Sequence, residues 1–521
     1  MVIGGYQSSC IKGDKMRIRI NRQAETPIYL QIKNQIRDMI IAEVLPEDFL
    51  LPPERNLAQT LGVNRSTVMK AYQELKADGL IVSHVGKGTV VVPQVFKPSM
   101  PRERPVRELS WYQFFNENIT TNSEHLISDI MSLTNCDKVL SFAGGFPDPT
   151  LFPMEQLEAL QGELFKTAKC MLYSHSPVEG NPALRESICQ LLARRQMTVS
   201  SREIGILSGS QQGLDFVARI FINPGDTVVV EEPSFFGAIQ IFRSAGARVI
   251  GVPIDKEGLR TDMLEALLIR HKPKFIYTLP TFQNPSGVTM TMARRSQLLT
   301  LAYQYQVPVV EDDPYGELPF EGVSLPPLKA LDRYGYVIYL STFSKVLFLG
   351  LRVGWVVAAP AIISKFAHLK QLTDLHVNTP SQLLLDQYIR TGLYEKHLLL
   401  LRKEYAAKRD CMLAALEKYR VPGVSWEKPA GGYYIWCRLP KQVSRHKLVA
   451  NAARRGVIFL PGEVCYPDGT QGESFARLNY TFAQPEEIQK GIKQLMQAVQ
   501  ESVQLAEEPE WDMGSYMRPI V

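Results

Sequence analysis

Thr342-Phe343-Ser344-Lys345 follows the apolar run Val337-Ile338-Tyr339-Leu340 and precedes Gly350-Leu351-Arg352-Val353-Gly354. A lysine set directly after a buried strand, flanked by small hydroxyl residues and followed by an arginine, is placed for covalent chemistry. Alone, a Ser-Lys pair reads as a surface loop. Three further motifs lie upstream, each close to the end of an apolar run: Ser208-Gly209-Ser210-Gln211-Gln212-Gly213, Gln283-Asn284-Pro285-Ser286-Gly287 and Glu311-Asp312-Asp313-Pro314-Tyr315. Together the four motifs read as a pocket for pyridoxal 5'-phosphate, with Lys345 as the Schiff-base lysine.

The chemistry of the neighbouring residues fits that reading. The Ser208-to-Gln212 turn opens an apparent helix, whose free N–H groups and positive end suit a phosphate, and Ser210 and Gln211 add side-chain donors. Asp312 ends a strand, where a carboxylate can be buried against a pyridine nitrogen and keep it protonated. Asp313 points the other way, because successive strand residues face opposite sides. Asn284 and Tyr315 are able to bond a phenolic oxygen. Phe235 offers an aromatic face for stacking, although an aromatic there is by default core. Arg477 offers a planar fork for a substrate carboxylate, although alone it reads as a surface arginine.

Outward from this pocket, strand-like runs at Ile204–Leu207, Thr227–Glu231, Arg248–Pro253, Phe275–Leu279, Val307–Glu311, Val337–Leu340 and Val353–Ala358 alternate with helical segments. That alternation predicts a mostly parallel sheet covered by helices, with ligands at the carboxyl ends of the strands.

The N-terminal part has a different pattern. Thr26 as N-cap and Pro27 in the first turn precede Tyr29, Ile32, Ile36, Ile40 and Ile41, spaced as one helical face. A second helix is expected over Glu54–Leu61, a turn at Gly62-Val63, an N-cap at Asn64, and a third helix from Arg65 to Asp78 stopped by Gly79. Val68, Ala71, Tyr72 and Leu75 form its apolar face, leaving Arg65, Ser66, Met69 and Lys70 outside. Helix, tight turn and a helix with a polar, basic start is the arrangement that lays its last helix in the major groove of DNA. The β-branched runs Leu80–Val82 and Thr89–Val92, around a Gly86-Lys87-Gly88 tip, predict a hairpin whose lysine reaches phosphate. A small helical domain that binds protein instead is the bland alternative.

The stretch from Leu51-Pro52-Pro53-Glu54-Arg55 to Asp78-Gly79-Leu80-Ile81 resembles the winged helix-turn-helix of GntR-type bacterial regulators. That resemblance implies DNA contacts from Arg55, Arg65, Ser66 and Thr67, with Lys87 at the wing. Met69 stands where many relatives have arginine. Residues from about 140 to 500 resemble the fold type I, class I aminotransferases, which have a smaller C-terminal α/β subdomain. By resemblance, Lys345 carries the cofactor and Asp312 holds the pyridine nitrogen, while Asn284 and Tyr315 hold the phenolic oxygen. Ser210, Gln211, Thr342, Ser344 and Arg352 hold the phosphate, Phe235 stacks on the ring, and Arg477 binds the substrate carboxylate. Phe235 replaces a usual tyrosine, which keeps the stacking and loses a hydroxyl. Tyr173 matches a tyrosine that reaches the neighbouring subunit's phosphate, implying a homodimer.

The two halves together are similar to the MocR/GabR-type regulators. The expected function is a PLP-dependent transcriptional regulator whose external aldimine with an amine or amino acid shifts its domain arrangement and so its DNA binding. The alternative is an active aminotransferase that carries a DNA-binding head, since Lys345, Asp312, Tyr315 and Arg477 are all intact.

Composition sets the frame. The 521 residues allow two to four domains, and 58 basic against 53 acidic residues give a net charge of only +5, so any basic surface is local. Seven scattered cysteines without a C-x-x-C pair argue against a disulfide framework or a zinc site and fit a reducing cytoplasm. No apolar run is long enough to span a bilayer. The expected domains are a disordered leader over 1–15, with Met16 as a possible start, and a DNA-binding head over 16–93. A Pro/Arg-containing tether over 94–138, the PLP-binding domain over 139–503 and an acidic tail over 504–521 complete the chain.

Overall fold

The structure is a computed structural model that describes residues 16–22, 26–42, 44–84, 88–92, 139–443, 445–469 and 471–507. The chain divides into two compact units, Met1–Trp111 and Tyr112–Val521. The expected leader and tether, and nearly all of the expected tail, lie outside the described residues.

In the first unit, α1 (Ile28–Ile41), β1 (Leu50–Leu51), α2 (Glu54–Leu61), α3 (Arg65–Ala77), β2 (Ile81–His84) and β3 (Gly88–Val91) follow in order. Ile32, Ile36 and Ile40 of α1 are buried at four-residue spacing, and Val68, Ala71, Tyr72 and Leu75 of α3 are fully buried. Two details of α1 depart from the sequence expectation. Pro27 takes the N-cap position without a side-chain cap, and the Thr26 carbonyl instead accepts Gln31 Nε2 at 2.6 Å. Ile41 is 61% exposed, because it lies about 100° round the helix from Ile40 and misses the buried stripe. Asn64 sits at the start of α3 as expected, but its side chain makes no cap bond, and the helix ends at Ala77 with Asp78 capping it. Gly62 turns α2 into α3 in the left-handed region (φ 60°). Tyr72 donates to the Pro52 carbonyl at 2.9 Å, pinning the start of α2 to the middle of α3. β2 and β3 form the expected antiparallel hairpin, and β1 adds a third strand along β3. Two residues are too few for β1 to show any periodicity in sequence.

The second unit opens with β4 (Leu140–Ser141). Its large sheet comprises β5 (Ile204–Leu207), β6 (Thr227–Glu232), β7 (Arg248–Asp255), β8 (Gly258–Leu259), β9 (Ile276–Thr278), β10 (Val309–Asp312), β11 (Val337–Thr342) and β12 (Gly354–Val357). All seven expected strands are present, β8 is added, and the order is β5-β12-β11-β10-β9-β6-β7-β8. The central pairs are parallel, while β12 runs antiparallel to both its neighbours. Strand parity sorts the core: Val310, Ile338, Leu340 and Tyr277 pack on one face, and Val309, Val337, Ile276 and Tyr339 on the other.

A four-stranded antiparallel sheet follows, made of β13 (Ser425–Trp426), β14 (Tyr434–Arg438), β17 (Phe475–Asn479) and β16 (Leu460–Pro461). Helices Leu393–Lys418 and Pro485–Glu507 pack on it through Met412, Leu416, Ile488, Ile492 and Val499. β15 (Val457–Ile458) pairs with β4, so the start of this unit returns to its C-terminal part. Among the described residues no helix is long and apolar enough to cross a membrane.

Candidate cofactor site and DNA-reading face

Where β5, β10 and β11 end, a cavity of about 280 Å³ is lined by Ser210, Gln211, Phe235, Asn284, Asp312, Tyr315, Thr342, Ser344, Lys345, Arg352 and Arg477. Eleven of the twelve pocket residues expected from sequence thus converge. The twelfth, Tyr173, is 80% exposed on the helix Lys169–Tyr173 and does not line this cavity.

Lys345 lies in the 3-10 turn Phe343–Lys345 that follows β11 directly. Thr342 Oγ1 accepts from Ser344 N at 3.1 Å and caps that turn, aiming the lysine inward. The amine donates to the Gly145 carbonyl at 2.7 Å, and burial lowers its pKa below the ordinary 10.5. Lowering the amine's proton affinity favours the nucleophilic free-base form.

Asp312 occupies the floor. Its Oδ2 accepts from Tyr277 at 2.8 Å, and its buried Oδ1 has no hydrogen-bond partner among the described residues. Burial, with neighbouring Asp313 adding to it, pushes its pKa up to about 7. Asp313 turns to the opposite face, where Arg195 and Tyr339 donate to it. The two acids therefore face opposite sides of the strand, as its alternation requires. Arg195 and Tyr277 were not foreseen from sequence, since neither sits in a recognisable motif.

The phosphate-sized end is built from the turn after β5. Gly209 takes φ 98°, a backbone conformation strained for any residue with a side chain, and a β-carbon there would also push on an Arg352 Nη at 2.7 Å. It leads into the helix Ser210–Phe221, whose start has no side-chain cap. Arg352 sits in the left-handed region (φ 51°) and donates to the Ser208 carbonyl at 2.8 Å, which fixes its guanidinium over this turn. Gly354 lets β12 approach, because a β-carbon would meet the Ser341 carbonyl oxygen at 2.7 Å and Ser210 N at 2.9 Å.

At the other end, Arg477 is 2% exposed on β17. It donates to Asn284 Oδ1 at 2.8 Å and to the Ala143 carbonyl at 2.6 Å, and its buried Nε has no partner among the described residues. Asn284 therefore meets the arginine, a contact the sequence reading did not foresee. Tyr434, Phe146 and Gly145 were also missed. The signal for Tyr434 was present in Gly431-Gly432-Tyr433-Tyr434, two phenols entering an apolar strand.

An unpaired carboxylate oxygen on the floor, an uncapped helix start beside an arginine, and a poised lysine between them match a pyridinium, a phosphate and an aldehyde. The residues present fit pyridoxal phosphate.

In the first unit Arg55, Arg65 and Ser66 are exposed and Thr67 is half-buried, all at the start of α2 or α3. Arg65 lies 3.7 Å from Glu54, and Lys70 stands 4.0 Å over the Tyr29 ring. Met69 is 39% exposed on the same side. Lys87 lies outside the described residues.

Residues 152–495 match the family of class I and II aminotransferases, and residues 28–91 the gntR family of bacterial regulatory proteins. The chain belongs to the class I and II aminotransferase family, with a gntR-family head. An HTH-type transcriptional regulator of Bacillus subtilis, YdfD, is 30% identical over 474 residues, covering 91% of this chain and 96% of its own length. The probable rhizopine catabolism regulatory protein MocR of Rhizobium meliloti is 28% identical, with 92% and 95% covered. Among solved structures, the α-aminoadipate aminotransferase LysN of Thermus thermophilus, complexed with N-(5'-phosphopyridoxyl)-L-leucine, is 36% identical. It superimposes with a TM-score of 0.71 over 76% of this chain and all of its own. The architecture is that of the MocR-type regulators. Its head implies binding to DNA, its second domain implies pyridoxal phosphate as cofactor, and the pairing supports a PLP-dependent transcriptional regulator.

Proposed function

We propose that this regulator binds duplex DNA through α2, α3 and the wing, and senses an amine or amino acid at the Lys345 pocket. When bound, pyridoxal phosphate supplies an aldehyde that condenses reversibly with primary amines and a ring that accepts electrons. Lys345 would hold the cofactor through its amine, the group with which an effector amine competes. Asp312 would keep a proton at the pyridine nitrogen, Tyr315 and Asn284 would hold the phenolic oxygen, and Phe235 would stack on the ring. Ser210, Gln211, Thr342, Ser344 and Arg352 bind the phosphate. Arg477 takes the effector's carboxylate on its buried fork. Tyr173, exposed in its own chain, serves the phosphate of a second copy, so the working unit is a homodimer. The head spans 16–93, the tether 94–138, the effector domain 139–503 and the tail 504–521; the protein works in the cytoplasm. An effector changes DNA binding because it binds one arrangement of the domains better than another.

The observation that carries this reading is the convergence of Lys345, Asp312 and Arg477, two of them with unpaired buried atoms, in a chain that also has a reading head. The same completeness favours a second reading, an active aminotransferase. A panel of amines and amino acids mixed with the loaded protein, with visible spectra and keto-acid release followed in the same tubes, separates the two. A lasting spectral change with little keto acid supports the sensor; sustained turnover supports the enzyme.

A further inference from the structure

Tyr434 lies at the start of β14, 3% exposed, and none of the assigned roles uses it. Its hydroxyl is 3.2 Å from that of Tyr315, which donates to it. Its ring carries the Arg477 guanidinium carbon 4.2 Å from its centroid. A β-carbon on Gly145 would stand 2.2 Å from the Tyr434 hydroxyl and 3.5 Å from Lys345 Nζ, so the phenol fills the one space beside the reactive amine that a side chain at 145 would take. This placement is built, because Gly145 also gives its carbonyl to Lys345.

We infer that Tyr434 is a positioning residue that stands behind Tyr315 and strengthens its hydrogen bond to the cofactor's phenolic oxygen. The inference rests on the PLP reading of the pocket. A hydroxyl is both donor and acceptor and rotates freely. When Tyr315 turns its proton to the phenolic oxygen, Tyr434 donates to Tyr315 in return, and each bond in such a chain polarises the next. A stronger donation makes the phenolic oxygen a poorer partner for a protonated imine nitrogen, so Tyr434 holds the loaded protein's visible pH transition low. The charged groups facing the pair are Arg477, Asp312 and Lys345, with the phenol Tyr433 packed against both rings and Tyr277 bonded to Asp312.

The test is a pH titration of the visible spectrum of the PLP-loaded protein, its Tyr434→Phe and Tyr315→Phe variants, and the double variant. Tyr434→Phe is expected to keep the visible band and to move its midpoint up by about half a pH unit. In the Tyr315→Phe background the same change is expected to move nothing further. A wild-type midpoint in Tyr434→Phe, or an undiminished shift without Tyr315, overturns the inference. If the wild type shows no visible band that Lys345→Ala removes, the PLP reading itself has failed, which is a distinct result. A second pair checks the geometry: Gly145→Ala is expected to lower cofactor loading, and adding Tyr434→Phe to restore it, since the nearest remaining ring atom is then 3.4 Å away. Equal loading in Gly145→Ala and wild type contradicts the placement.

Discussion

The reading helix and the cofactor pocket keep their working groups in opposite physical states. On α3 the Arg65 side chain is 70% exposed and, among the described residues, pairs only with Glu54 at 3.7 Å, so solvent screens it and its charge can turn to phosphate or base. In the pocket Asp312, Tyr315 and Arg477 are each at most 3% exposed, each is held by at least one side-chain hydrogen bond, and Asp312 and Arg477 keep an atom without a hydrogen-bond partner among the described residues. Function on the helix is therefore separable from stability, whereas in the pocket the two are linked, because buried polar atoms left unpaired cost folding free energy until a ligand meets them.

The sharpest contrast comes from removing one group on each side. Lys345→Ala is expected to abolish the visible band of the loaded protein and its trapping by borohydride, while DNA affinity without effector stays within about twofold; an unchanged spectrum would remove the pocket from the account. Arg477→Ala removes the proposed carboxylate fork, and a charge-assisted pair of this kind is worth about 2–3 kcal/mol. Spectral titrations should show amino acids binding on the order of 100-fold more weakly, with simple amines little changed; equal losses for both would place the carboxylate elsewhere. On the helix, Arg65→Ala should weaken DNA binding about tenfold or more, read by anisotropy, with cofactor loading and melting temperature unmoved. A fall in melting temperature of several degrees would show that exposure had misrepresented this residue.

The smallest effect concerns pH. Burial raises the folded pKa of Asp312 from 3.8 to about 7, so between those values the folded chain holds a proton that the unfolded chain has released. Its contribution to stability is present below pH 4 and is lost as pH rises through 7. In cofactor-free protein, Asp312→Asn should therefore flatten the fall in melting temperature between pH 5 and 7.5. Glu311, also pushed up to about 7 by burial, leaves part of the slope in place. An unaltered slope would mean that Asp312 is ionised and solvated.

Much of this was legible because the motifs are local. Gly209, Asp312 and Lys345 each sit at a strand end that periodicity announces, and Val68, Ala71, Tyr72 and Leu75 mark the inner face of α3 without outside help. What stayed hidden depends on chain returning from far away. Arg477 meets Asn284 across 193 residues, Lys345 meets Gly145 across 200, and Tyr434 meets Tyr315 across 119. No local pattern encodes such pairings. The misplaced cap at Thr26 and the exposed Ile41 are failures of another kind: at a helix end, one residue's displacement rotates a side chain by a quarter turn and changes its face.

On this proposal, chemistry at Lys345 governs DNA binding. Its most direct measurement is the affinity of the full-length, PLP-loaded protein for a duplex selected by it from a random pool, with and without the amino acid that changes its spectrum. The same titration is run on Lys345→Ala. The account predicts a shift in affinity of about fivefold or more in the wild type and none in the variant, which still binds the duplex. An affinity that ignores the ligand, in a protein that meanwhile releases keto acid turn after turn, would contradict it.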